Sequence, residues 1–137
     1  MSQSKKDFAY LSLPILRIGG SALMRIHGFS KLEMLLSDEK VEFYNFMGLG
    51  DELSLILAII GELFAPLLLL FGLQTRMAAL VAAITMAVAA FGAHAGDGLE
   101  DREHSLLYLV LFLSLALSGA GRWSVDEFLM KRRSLKK

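Results

Sequence analysis

The chain has 137 residues, a formal net charge of zero, a hydrophobic fraction of 55% and a mean hydropathy of +0.53. That apolar fraction exceeds the roughly 45 to 50% of soluble domains and is concentrated in long blocks, so composition predicts a single membrane domain over residues 1–137. The neutral charge argues against nucleic acid as a partner, and the absence of cysteine excludes disulfides, thiol nucleophiles and cysteine-ligated metals.

Four apolar blocks meet or approach the roughly 20 residues that a helix needs to cross hydrocarbon. They cover about residues 8–31, 51–73, 75–95 and 103–121. The blocks are too long for membrane strands and do not alternate as such strands do. Because short connections make consecutive helices antiparallel neighbours, the sequence predicts an all-α, integral membrane four-helix up-down bundle. The first block lacks a cleavage pattern, which favours a retained span over a signal peptide.

Charged residues are divided unequally between the two ends of this bundle. Cytoplasmic loops carry an excess of Lys and Arg, so the basic end is expected inside. We therefore expect both the N- and C-termini to be cytoplasmic. The basic side carries Lys5, Lys6, Arg76, Arg122, Lys131, Arg132, Arg133, Lys136 and Lys137, and the other side carries Glu33, Asp38, Glu39, Glu42, Asp51, Glu52, Asp97, Glu100, Asp101 and Glu103.

Three further patterns predict local structure. The segment SDEKVEFYNFMGLG is expected to lie at the outer interface, either as a lid over the bundle mouth or as an aromatic belt. A strip of small side chains on the third block allows close helix packing. SVDE at residues 124–127 matches a capping box and predicts a short, cytoplasmic, amphipathic helix over about 124–135, anchored on anionic lipid. The strip consists of Ala79, Ala83, Ala87 and Ala90.

Glu62 lies near the middle of the second block, where an ionised carboxylate is costly and normally has a partner. Pro66, four residues later, has no N–H, so the Glu62 carbonyl loses its usual helical partner. With the first block centred near Gly20, Arg17 is about 5 Å from Glu62 in depth and Arg25 about 8 Å. We expect Arg17 to be the counter-ion, with Arg25 as the alternative. The pair either fixes helix register or belongs to a functional site.

Other polar residues are expected to form one funnel from the outer mouth to Glu62. Histidine and glutamate suit proton transfer, so Glu62 and His94 are the catalytic candidates. Lys31, Arg76 and Glu103 could instead extend to water at the membrane surface. No spacing typical of a metal site is present, so no metal is expected. The candidate ligand-binding set is Arg17, Arg25, His27, Lys31, Glu62, Arg76, His94 and Glu103.

The stretches LRIGGSALMRIHGFSKL, GELFAPLLLLFGLQTR and GAGRWSVD resemble the DoxX family of small four-helix bacterial and archaeal membrane proteins. This resemblance covers nearly the whole chain and implies a multi-pass protein of the bacterial inner membrane. It also implies a link to quinol oxidation beside a terminal oxidase or a thiosulfate:quinone oxidoreductase, or to redox-stress complexes. The residues that match the family pattern are Arg17, Gly28, Lys31, Glu62, Gly72, Arg76 and His94.

Three functions remain open at this point, and the sequence leaves open whether the chain is itself an enzyme. The first is a quinone-linked subunit of a membrane redox complex, with a bound quinone but no intrinsic cofactor. No haem, flavin or iron–sulfur motif is present, so a redox partner protein would supply the electrons. The second is a carrier or sensor of a lipophilic or anionic ligand held by Arg17 and Arg25. The third is a purely structural membrane subunit.

Overall fold

The computed structural model describes residues 3–135, with side chains described from residue 11 onward. Lys136 and Lys137, and the side chains of Lys5 and Lys6, lie outside the described residues. Residues 3–135 form helices and connecting turns without strands, so the all-α prediction is confirmed. The helices are α1 (Gln3–Leu36), α2 (Asp51–Phe71), α3 (Thr75–Ala93), α4 (Leu99–Ser118) and α5 (Val125–Ser134), with a 3₁₀ turn at Phe46–Gly48.

Two of the described helices, α2 and α3, are long and apolar enough to cross a bilayer. Large apolar side chains also point outward from all four longer helices, as at Ile15, Phe64, Ile84 and Leu117. An apolar outer surface of this extent is unusual for a soluble monomer and suits a lipid environment.

The four longer helices pack around a core that α3 dominates. Ala79, Ala83 and Ala90 of the predicted strip are buried, and Ala87 is half-buried. They lie against α4, whose Phe112 and Leu115 belong to the same core cluster. Small side chains let the two backbones approach, as expected for helices that pack in lipid.

Both apolar helices contain a π turn, in which a hydrogen bond spans five residues instead of four. In α2 this turn covers Ile60–Phe64, and the Ala65 N–H bonds to the Ile60 carbonyl. Pro66 follows directly and cannot donate, so the usual four-residue ladder is interrupted beside Glu62. In α3 the π turn covers Ala89–Ala93. Such turns are frequent at functional sites, which directs attention to the space between them.

Hydrogen bonds of its own capping residue and of the α2–α3 turn hold the C-terminal helix α5. The Ser124 hydroxyl accepts a hydrogen bond from the Glu127 N–H at 3.2 Å, so the predicted capping box is confirmed for the serine side chain. The Asp126 N–H donates to the Gly72 carbonyl at 3.0 Å. This contact holds α5 against the end of the molecule where α2 turns into α3.

Candidate functional site

Glu62 forms an ion pair with Lys31. The Lys31 Nζ lies 2.6 Å from Glu62 Oε2, and the Glu62 side chain is only 6% exposed. Gly28, one turn before Lys31, makes the approach possible because a Cβ at that position would lie 2.5 Å from the Glu62 carbonyl carbon and oxygen. The missing side chain therefore lets α1 touch the π turn of α2, and Lys31 then reaches the carboxylate from the same helix face.

The expected pairing of Arg17 with Glu62 is wrong. Arg17 is buried at the other end of the α1–α2 contact, where its Nη2 donates to the Trp123 carbonyl. The error lies in the depth assigned to α1. Gly28, not Gly20, is level with Glu62, and eight residues correspond to about 12 Å along a helix. The centre of the apolar block was used to set that depth, whereas the closest contact with α2 is made at Gly28, eight residues later.

Arg17 belongs instead to a structural contact at the α2–α3 turn. Gly72 has a φ of 66° and lies so close to the guanidinium that a Cβ would overlap Arg17 Nη1. Asp126 caps the start of α3 by accepting from the N–H groups of Gln74 and Thr75, both at 2.8 Å. Burial by itself would raise the pKa of Asp126, but these hydrogen bonds, the Thr75 side chain and the positive charge of Arg17 outweigh burial and lower it.

A cavity of about 660 Å³ has the Lys31–Glu62 pair in its wall. It lies between α2 and α3, below the end of α1 and beside the segment at residues 43–46. Most of its wall is aliphatic or aromatic, and the pair supplies charge at one point. The lining consists of Lys31, Phe43, Tyr44, Phe46, Ser54, Leu57, Ala58, Ile60, Glu62, Val81, Ile84, Thr85, Val88, Ala89, Ala93 and His94.

The segment between α1 and α2 covers part of this cavity. Tyr44 lies over the π turn of α3, where a Cβ on Gly92 would lie 2.9 Å from its hydroxyl oxygen. Phe43 packs against the α2 cluster of Leu55, Ile59 and Leu63. The Phe46 N–H donates to the Ser54 hydroxyl at 2.9 Å, which holds the segment to α2. These contacts suit the lid alternative, while the position of the segment at a membrane surface stays a prediction.

His94 lines the same cavity as Lys31 and Glu62, so three of the predicted site residues are brought together. Its Nδ1 lies 2.7 Å from Asp97 Oδ2, and both side chains are nearly half exposed. The Asp97 carboxylate beside this ring nitrogen holds the imidazole in one orientation. His94 therefore connects the cavity wall to a carboxylate in contact with solvent.

The other members of the predicted funnel lie elsewhere, so a single funnel is wrong. His27 stacks edge-on against His104 at 4.6 Å between ring centroids, in a separate groove between α1 and α4. Arg25 and Glu103 are exposed and line neither this groove nor the cavity. Arg76 lies beside Gly119 at the opposite end. The sequence analysis grouped these residues by their depth along the helices. In the structure they lie apart because they are on different helix faces.

Sequence reasoning missed several residues that shape the cavity. Ser54 and Thr85 are polar residues of its lining, and Tyr44 was foreseen only as part of the possible lid segment. Thr85 also marks the closest contact between α2 and α3, because a Cβ on Gly61 would overlap its hydroxyl oxygen. The glycine one residue before Glu62 was the available signal, since a helical glycine often marks a close approach of another element.

The sequence is similar to a known protein family and to several curated proteins. The DoxX family model matches residues 12–95. An uncharacterised protein of Haemophilus influenzae (strain ATCC 51907 / DSM 11121 / KW20 / Rd) is 33% identical over 132 residues, covering 88% of this chain and 92% of that protein. A second uncharacterised protein of that organism is 38% identical over 74 residues, covering 51% and 49%.

A third relative has a name that refers to redox chemistry. It is the "Putative oxidoreductase CatD" of Bacillus subtilis (strain 168), 27% identical over 118 residues, covering 85% of this chain and 86% of that protein. No solved structure matches the chain significantly. The family match spans more than half of the sequence and includes Arg17, Gly28, Lys31, Glu62, Gly72, Arg76 and His94. The chain therefore belongs to the DoxX family of membrane proteins.

Proposed function

We propose that the cavity binds a lipophilic molecule with a polar head, of the quinone class, and that the protein is a subunit or accessory of a membrane redox complex. The observation that supports this most is an ion pair with a nearly buried carboxylate in the wall of an otherwise largely apolar cavity. Ligand sites typically measure about 300 to 1,000 Å³ and combine apolar walls with a few polar groups. The cavity described above has both properties.

The ligand would enter the cavity from the lipid phase. Leu57, Ile60, Val81 and Ile84 line the cavity and are also exposed on the outer surface of α2 and α3. Such a wall suits a ring and tail dissolved in the bilayer. Water would reach the site from the His94 side, where Asp97 is exposed.

Each polar residue has a distinct role in this proposal. Lys31 donates a hydrogen bond to an oxygen of the head, and Glu62 accepts a proton when the head is oxidised. His94 exchanges protons between the cavity and Asp97. Oxidation of a quinol head releases two protons and two electrons, and the electrons pass to a redox partner protein because the chain has no motif for an electron-carrying cofactor.

We also infer that the four longer helices form an up-down bundle that crosses the bacterial inner membrane four times, with both termini cytoplasmic. The distribution of Lys and Arg supports this orientation. Reporter fusions at Lys137 should be active in the cytoplasm, and labels at Asp38 and Asp97 should be accessible from the periplasm. A periplasmic C-terminus would contradict the orientation without affecting the cavity.

The ligand is tested by purifying the full chain in lipid nanodiscs and analysing an organic extract for quinone. Wild type should carry quinone above the level of protein-free nanodiscs. Val88→Phe, which places a ring in the cavity, should reduce bound quinone towards that level, because Val88 lines the wall. Val110→Phe is the matched control, because Val110 is exposed on α4 outside the cavity.

The outcomes separate the three candidate functions. Quinone in wild type and Val110→Phe, but not in Val88→Phe, supports the proposal. A different lipophilic molecule with the same dependence on Val88 would indicate a carrier or sensor and overturn the quinone assignment. A protein that carries nothing, and that does not bind an added short-chain quinone analogue, would be a structural subunit whose ion pair only fixes packing.

A further inference from the structure

The C-terminal helix α5 exposes apolar and basic side chains together. It has no buried residue, and Val125, Phe128, Leu129 and Met130 are all exposed. Lys131, Arg132 and Arg133 form its last turn, and the Arg132 guanidinium lies 4.9 Å from the centroid of the Phe128 ring. In water this surface would leave much apolar area uncovered, so some partner should cover it.

Contacts at the start of α5 hold its first turn against the rest of the molecule. Asp126 binds the first N–H groups of α3, and its own N–H binds the Gly72 carbonyl. Arg17 of α1 holds the carbonyl of Trp123, the residue before the cap. The helix is therefore attached at the end of the α2–α3 hairpin, where the apolar outer surface of α3 and α4 also ends.

We propose that α5 and Trp123 together bind the headgroups of anionic phospholipids at the membrane surface. The apolar side chains would enter the boundary between headgroups and acyl chains, and Arg132 and Arg133 would contact lipid phosphates, while Lys131 lies 3.4 Å from Glu127. Each basic residue near an anionic surface contributes attraction. This inference depends on the membrane-spanning arrangement proposed above but not on the ligand of the cavity.

Lipid is favoured over a protein partner because exposed apolar residues occur on both sides of the α4–α5 connection. Leu117 near the end of α4 is 80% exposed, Trp123 before α5 is 69% exposed and Phe128 in α5 is 55% exposed. Tryptophan is enriched where hydrocarbon meets water, because its ring is apolar and its N–H can bond to headgroups. The charge of the last turn complements anionic lipid rather than a neutral surface.

Trp123 provides the test, since it is the single tryptophan of the chain. The full protein is placed in nanodiscs of phosphatidylcholine, with or without phosphatidylglycerol, made with lipids that carry bromine on their acyl chains. Bromine quenches tryptophan only at close range. We expect a blue-shifted emission and stronger quenching when phosphatidylglycerol is present, because anionic lipid draws α5 into the interface.

The variant Arg132→Gln/Arg133→Gln should lose the difference between the two lipid mixtures. The control Arg25→Gln/Lys40→Gln removes the same charge from exposed residues remote from α5 and should keep the difference. Emission typical of water with no quenching in either mixture would overturn the proposal and indicate that α5 faces a protein partner. Equal quenching in both mixtures would overturn the preference for anionic lipid. Neither result would bear on quinone in the cavity.

Discussion

Two buried charges on neighbouring helices are accommodated in different ways at the two ends of the α1–α2 contact. Glu62 meets the side chain of Lys31 directly, and the pair forms part of a cavity wall. Arg17 is enclosed by Gly72, bonded to a backbone carbonyl and placed near Asp126, which itself caps α3. The first charge can reach a ligand, whereas the second connects three parts of the chain. Burial of a charge alone therefore does not indicate a binding site, because adjoining free volume is also needed.

The largest expected effect comes from separating the Lys31–Glu62 pair. Lys31→Met strands the nearly buried carboxylate and should cost about 3 kcal/mol or more, as for buried pairs generally. Glu62→Met should cost less, because Lys31 is partly exposed and can turn to water. The double variant should recover part of the loss. The measurement is unfolding by detergent titration in mixed micelles.

A double-mutant cycle on Arg17→Met and Glu62→Met tests whether Arg17, at the other end of the α1–α2 contact, interacts with Glu62. Distant sites add to within about 0.5 kcal/mol, so these two losses should be additive. Strong coupling between Arg17 and Glu62, with additivity for Lys31 and Glu62, would contradict the arrangement of α1 described above.

Gly28 and Gly72 make room for the close contacts at Glu62 and Arg17, so each position should be sensitive to the addition of a single methyl group. Gly28→Ala places a Cβ against the backbone of Glu62, and Gly72→Ala places one against Arg17 in a left-handed conformation. Each should cost about 1 to 3 kcal/mol, as overpacking does. Gly19→Ala is the control, because nothing lies within 4 Å of its Cβ position, and it should stabilise α1 by about 0.5 to 1 kcal/mol. Loss of stability in all three variants would point to a general requirement for flexible glycines.

Asp126 should make the stability of the Arg17 end of the α1–α2 contact depend on pH. Asp126→Asn should cost about 1 kcal/mol at neutral pH, because the amide nitrogen that replaces one carboxylate oxygen cannot accept the second backbone hydrogen bond. The pKa of Asp126 is lowered by folding, so its contribution is complete above the ordinary pKa of 3.8 and is lost as pH falls through the folded value. Wild type should therefore lose more stability between pH 5 and pH 3 than the variant. Thermal unfolding across that range measures the difference, and parallel curves would exclude a role for Asp126.

Arg25 should show the smallest effect and completes the comparison. Its depth made Arg25 the alternative counter-ion of Glu62 in the sequence analysis. In the structure its side chain is exposed and lies outside the cavity. Arg25→Met should change the free energy of unfolding by no more than about 0.5 kcal/mol, as is usual for surface substitutions. It should also leave ligand binding unchanged, whereas a loss of either would place Arg25 in the site.

Much of the fold follows from local patterns that the sequence states directly. The long apolar blocks, the capping box at Ser124 and the alanine strip of α3 are all properties of neighbouring residues, and the structure contains each of them. The importance of Glu62 was also visible, because a carboxylate in an apolar block needs a partner wherever the block lies. Lys31 and His94 were in the predicted site, but at its outer mouth and not beside Glu62, and they were included for reasons of depth that also admitted His27 and Glu103.

The sequence by itself determined that the protein is helical, apolar on its outer surface and built around one buried carboxylate. Only the tertiary structure decided which cation meets that carboxylate, because the answer depends on how far α1 slides along α2. Gly28 sets that register by admitting the π turn of α2, and no periodicity within α1 encodes a contact with a different helix. The cavity arises in the same way, since it is the space that α2, α3 and the Tyr44 segment leave open once their closest contacts are made.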